Sequence, residues 1–250
     1  MPVELTKELS TKELSIEEKS TLACFLDLAE DYLKNGHARE KELPQAAGFE
    51  NSADSSDSIE KVAANIRACQ NCMLAETRTN TVPGEGASNP LVMVIGEGPG
   101  ADEDVQGRPF VGKAGQLLDK MLEAVSLSRE KNCFIANMVK CRPPGNRDPA
   151  PDEIASCHNF LERQILLLKP RLILCAGRIA AQNLLNTSGT LGELRGKIHE
   201  FKIDENTKIP VLVSYHPSAV LRDDLKKRPA WEDLKFLKSH LDFHAIPNEE

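Results

Sequence analysis

The chain contains no run of eighteen apolar residues, which excludes a long membrane-crossing helix. Its first residues, "MPVELTKELS", lack a basic stretch followed by an apolar one, so export is not expected. Aromatic residues are few, at 4%. There is also no excess of positive charge: the formal net charge is −7. The acidity is unevenly placed, however. Residues 1–60 hold 14 acidic and 6 basic side chains, whereas residues 61–250 hold 24 and 25. The larger part is neutral enough for a local basic patch to face a polyanion. Seven cysteines without an export signal point to a reducing compartment, where thiols bind metal or are buried rather than pairing as disulfides.

At 250 residues the chain can form one catalytic-sized domain with an appendage. "TKELS" is repeated in tandem over Thr6–Ser15. Leu22, Phe25, Leu26, Ala29, Tyr32 and Leu33 then recur at helical spacing, with Gly36 suited to a left-handed cap. Residues 1–42 are therefore expected to be an amphipathic helical extension, residues 43–58 a small, polar linker, and residues 59–250 the domain. The helix either packs on its own chain, stands in solvent or docks on a protein partner.

Beyond the linker the pattern alternates. Apolar, β-branched runs at Leu91–Ile95, Cys133–Val139, Leu172–Ala176 and Pro210–Ser214 predict strands. Helices are predicted near Ala114–Val125, Asp152–Leu168, Gly177–Leu185 and Ala230–Leu241. The expected fold is a three-layer α/β/α sandwich around a four-stranded parallel sheet. Reactive loops of such sheets gather at the carboxyl ends of the strands. "GEGPGADEDVQGRPFVGKAG" (Gly96–Gly115), "NMVKCRPPGNRDP" (Asn137–Pro149) and "SYHPSAVLR" (Ser214–Arg222) lie at such ends.

The glycine turn is ringed by Glu97, Asp102, Glu103 and Asp104 and lacks the Lys-Ser/Thr of a phosphate-wrapping loop. A different ligand is needed. Cys69 and Cys72 form a C-x2-C pair, followed after 68 intervening residues by Cys141 and Cys157 in C-x15-C spacing. Four thiolates suit either Zn²⁺ or an iron–sulfur cluster. Cys24, Cys133 and Cys175 sit in apolar runs and read as small buried hydrophobes.

Together these loops and cysteines resemble the family 4 uracil-DNA glycosylases, the iron–sulfur type of bacteria and archaea, over roughly residues 60–243. The resemblance implies a uracil-DNA-glycosylase fold, excision of uracil from single- or double-stranded DNA, and a structural [4Fe–4S] cluster on Cys69, Cys72, Cys141 and Cys157, with zinc the alternative. It also implies a prokaryotic cytoplasmic protein at the nucleoid, and a monomer is expected.

The implied chemistry assigns roles to the loops. A base must leave the stack before it can be excised, and glycines such as Gly96 and Gly98 let the backbone approach it. Glu97 is placed near the sugar, to orient water or stabilise an oxocarbenium-like centre. In better-known glycosylases of this fold the acid stands one position later, at Gly98. Glu103 matches an acidic family position near the uracil C5 edge. The tyrosine that blocks thymine in same-fold enzymes is replaced by Gly100, so another group must form that wall. Phe110 is expected to stack on the flipped base, and Asn137 to read uracil O4 and N3–H. His216 would donate to O2 as negative charge builds on the leaving base. Leu221 would fill the vacated stack, with Arg222 beside it for phosphate.

Two other readings share the fold. One is a catalytically weak DNA-binding or replication accessory module docking through Leu22–Leu33. The other traps the sugar covalently through a loop histidine, and "VKCRPPGNRDP" contains none.

Overall fold

The computed structural model describes residues 57–203 and 207–243. The expected N-terminal helix, Cys24 and all but the last two linker residues lie outside them. In chain order the main elements begin with α1 (Ile59–Ala68), α2 (Leu74–Thr77), β1 (Glu85–Gly86), β2 (Val92–Gly96), α3 (Ala101–Gln106), α4 (Lys113–Glu123) and β3 (Cys133–Asn137). They continue with α5 (Pro151–Leu168), β4 (Leu172–Ala176), α6 (Arg178–Leu184), α7 (Leu191–Leu194), β5 (Ile198–Lys202), β6 (Lys208–Ser214), α8 (Pro217–Arg222) and α9 (Lys227–Phe243).

Every residue of β2, β3 and β4 is buried. Strands apolar on both faces need a helical layer on each side, and their alternating side chains supply two cores. Val94, Ile135, Leu174 and Leu212 pack with Leu118 and Leu122 of α4 and Leu234 and Leu237 of α9. Ile95, Ala136, Ile173 and Val213 face the other way, toward Leu161 and Ile165 of α5 and Ala180 and Leu184 of α6. Burying each large aliphatic side chain contributes roughly 1.5–3 kcal/mol, so these two layers hold the domain together.

Among the described residues the sheet has six strands, ordered β1-β3-β2-β4-β6-β5. The inner β3-β2-β4-β6 are parallel, as expected, while β1 and β5 add antiparallel edges. The sequence hid both edges for physical reasons. β1 is two residues long. β5 reads "IHEFK", half-exposed and polar, as edge strands are when they resist further pairing.

The register positions the site. Gly96 pairs with Asn137 across β2–β3, Ile95 with Cys175 across β2–β4, and Ala176 with Ser214 across β4–β6. Four parallel strands therefore end side by side, and the loops that follow them start from one rim.

The helices have local stops. Ser58 Oγ caps α1 by accepting the Lys61 N–H at 3.3 Å, and Asp57 before it pairs with Arg163 of α5 at 2.7 Å. At the start of α5, Glu153 accepts the Ala150 N–H at 2.7 Å and pairs with Arg147 at 2.6 Å. Lys169 turns left-handed (φ 45°) and Pro170 prevents continuation.

Candidate active site

Asn137 ends β3 with 1% of its surface exposed, and its Oδ1 is buried without a hydrogen-bond donor. An unpaired buried amide oxygen costs ~1–3 kcal/mol, which a ligand N–H would relieve. The amide lies over Gly96. A Cβ at Gly96 would stand 2.4 Å from Asn137 Oδ1 and 2.7 Å from two ring atoms of Phe110. Only glycine lets amide and ring approach the backbone here.

Phe110 adopts a left-handed backbone (φ 52°), a conformation that costs a non-glycine residue ~1–3 kcal/mol unless its surroundings fix it. Two residues do so. Arg129 donates to the carbonyls of Pro109 and Phe110, both at 2.9 Å, while paired with Glu85 and Asp119. Glu103 accepts the N–H groups of Val111 at 2.8 Å, Gly112 at 2.9 Å and Gly100 at 3.1 Å. Its carboxylate thus braces the Gly100–Gly112 loop around Phe110. The Arg129 brace carried no signal in the sequence, because its partners are main-chain carbonyls.

The Phe110 ring lies 5.5 Å from the His216 ring, tilted by 31°. His216 follows β6 and caps α8, its Nδ1 accepting the Ser218 N–H at 3.2 Å and lying 2.8 Å from Ser218 Oγ. A main-chain N–H can only donate, so Nδ1 holds the lone pair and the neutral ring carries its proton on Nε2. Burial, aided by Arg222 and opposed by Glu103, lowers the imidazole to about 4. The neighbouring Gly177 (φ 100°) lets the β4–α6 turn pass beneath the histidine; a Cβ there would sit 3.0 Å from His216 Cβ.

Glu97, directly after β2, is half-buried. Burial raises its carboxyl above the ordinary value, Asp148 adds to the rise and Arg178 opposes it. Asp148 and Arg178 form a pair at 2.8 Å, and neither stood out in the sequence. Gly98 faces Val139 and Pro143 of the loop after β3. Leu221 and Arg222 both project from α8, with Leu221 48% exposed. Arg147 is occupied by Glu153 and Arg142 donates to Asn146 at 2.8 Å, so both order their own loop.

The four cysteines of the two spaced pairs converge. Cys141 and Cys157 are buried with Leu74 and Val139, and Cys72 packs against them. Cys69 and Cys72 both bear on Cys141 electrostatically, and Cys72 and Cys141 on Cys157. None is in a disulfide. Burial raises Cys141 and lifts Cys157 to about 11. Arg78 donates to Cys141 Sγ at 3.0 Å and to the Cys69 carbonyl at 2.5 Å, tying the two segments together. Among the described residues no group of His, Cys, Asp or Glu is drawn tightly around a single ion position. The donor set and its burial suit a thiolate-held metal centre, zinc or an iron–sulfur cluster. Cys133 and Cys175 are simply buried in strands.

A fully buried Lys140 links this region to Asn137. Burial draws its ammonium down to about 7, with Cys157 opposing.

The parallel centre of the sheet thus carries a buried amide, an aromatic ring and a neutral histidine near one rim. The chain belongs to the uracil DNA glycosylase superfamily, whose model matches residues 83–235. It is 42% identical to the Type-4 uracil-DNA glycosylase of Archaeoglobus fulgidus over 66% of this chain and 84% of that protein. Identity is also 42% to the Type-4 enzyme of Saccharolobus solfataricus, over 76% and 89% of the two chains. The Type-4 enzyme of Thermotoga maritima is 38% identical over 73% and 94%. Among the described residues no helix is long and apolar enough to cross a membrane.

Proposed function

We propose that this chain is a monofunctional DNA glycosylase that hydrolyses the bond between uracil and deoxyribose, leaving an abasic site for base excision repair. The observation that carries the reading is the buried, unpartnered Oδ1 of Asn137 beside the Phe110 ring. That oxygen accepts uracil N3–H while the amide N–H₂ donates to O4. Cytosine reverses both edge groups and is refused.

In this mechanism the extruded base stacks on Phe110, and Leu221 fills the space left in the duplex. His216 Nε2–H aims at O2. As the N1–C1′ bond breaks, its electron pair moves into the uracil ring, and the neutral histidine stabilises the resulting anion without giving up its proton. Glu97 orients a water at C1′ and takes its proton as the C1′–O bond forms. The proton then passes to the departing uracil. Glu103 contributes by holding the Phe110 loop, and Arg222 by meeting a phosphate. No lysine faces C1′ in this scheme, so the strand stays intact.

Cys69, Cys72, Cys141 and Cys157 would hold a [4Fe–4S] cluster. It would supply a structural crosslink between the C-x2-C turn, the loop after β3 and α5. Base hydrolysis moves no net electrons and asks nothing further of it. The work takes place on DNA, in the cytoplasm at the nucleoid, by a single copy of the chain.

The test is incubation with a uracil-containing oligonucleotide. Free uracil and an alkali-labile site are expected. Nicking without alkali contradicts the monofunctional step, and an intact base after long incubation contradicts the assignment.

A further inference from the structure

Lys140 heads the large side chains with under 2% exposure among the described residues, and the mechanism above does not use it. It stands three residues after Asn137 and one before Cys141. Its Nζ donates to the main-chain oxygen of Asn137 and to Gln164 Oε1, both at 2.8 Å. Gln164 lies seven residues, two helical turns, beyond Cys157 and therefore on the same face of α5. Its own Nε2 donates to the Pro83 carbonyl at 2.7 Å. The Lys140 carbonyl accepts the Val82 N–H at 2.7 Å. Two segments thus meet at one ammonium, the end of β3 and the helix bearing Cys157, and the chain at Val82–Pro83 joins them through the Lys140 carbonyl and the Gln164 amide.

We propose that Lys140 is a positioning residue for Asn137, folding back to hold the carbonyl of the base-reading residue at a fixed place against α5. This rests on the reading that Asn137 recognises uracil. Because Asn137 Oδ1 has no protein partner, its main-chain anchor decides where the amide points. The parallel backbone bonds from Met138 N–H to Gly96 (2.9 Å) and Val139 N–H to Glu97 (3.2 Å) fix the chain on one side. Lys140 fixes it on the other. An apolar side chain of similar length would leave two buried acceptors without a donor and free the strand end to shift.

The full chain is compared with Lys140→Met, Gln164→Met and the double variant Lys140→Met/Gln164→Leu. The readouts are single-turnover uracil excision, inhibition by free uracil, DNA affinity, visible absorption and thermal melting. Lys140→Met is expected to weaken both excision and free-uracil inhibition by about tenfold, with DNA affinity within about threefold. The double variant still leaves the Asn137 and Pro83 carbonyls without a donor, so neither melting nor free-uracil inhibition should recover. Recovery of inhibition along with melting would reduce Lys140 to filling a polar hole and overturn the proposal. If Lys140→Met does not fold, Gln164→Met must still weaken free-uracil inhibition, and unchanged inhibition overturns the proposal equally. Asn137→Ala run in parallel separates the two layers: if it leaves free-uracil inhibition intact, the reading of Asn137 itself fails.

Discussion

His216 Nδ1 accepts the Ser218 main-chain N–H at 3.2 Å, and this one bond fixes which edge of the imidazole can act. With Nδ1 committed, the Nε2–H is the edge available to a bound base. Removing such a pre-aimed donor costs about 10²–10³ in rate. His216→Ala should therefore slow single-turnover excision by about that factor while leaving DNA affinity nearly unchanged. An equal loss of affinity would make His216 a packing residue.

The pH profile separates Glu97 from His216. Burial holds His216 at about 4, so it stays neutral through the neutral range and is not expected to set the activity limit there. Glu97 is raised above its ordinary 4.5, so as pH falls the carboxylate protonates first and excision declines. Glu97→Gln should lower the rate and abolish that acid limb. Stability follows a different rule. Unfolded His216 takes up a proton below 6.5 and the folded one only near 4, so His216 alone makes the fold less stable as pH drops from 6.5 toward 4. Acid melting in wild type and in a His216→Gln variant measures this contribution.

Glu103 tests the difference between a wall and a brace. Glu103→Gln keeps one acceptor oxygen where the carboxylate serves three N–H groups, so melting should fall by ~1–3 kcal/mol equivalent. Excision should drop with it as Phe110 loosens, while thymine remains refused. If the variant excises thymine at unchanged stability, Glu103 forms the C5 wall instead.

The thiols give a metal test. The purified chain should be brown with broad visible absorption and contain iron. Cys141→Ser should lose the colour and lower the melting temperature, since binding energy at such a site is folding energy. A colourless, zinc-loaded protein would exclude the cluster.

Much of this arrangement is legible in the sequence. The inner strands showed as apolar runs because both faces are buried, and strand-end glycines and polar residues marked the rim. The edge strands did not show, one being two residues long and the other polar. Side chains that act on main-chain atoms were equally silent. Arg129 bonds the Phe110 loop through carbonyls, and Lys140 reads as an ordinary surface lysine until the fold buries it. Glu103, expected near the uracil C5 edge, also accepts three loop N–H groups, partners that no spacing rule reveals.

The most direct measurement is the ratio of uracil to cytosine excision in Asn137→Asp. A carboxyl group loses the donor to uracil O4 and gains an acceptor for cytosine N4–H₂. The ratio should fall by about tenfold or more, one to two hydrogen bonds' worth of discrimination. An unchanged ratio would remove Asn137 from the pocket and contradict the account.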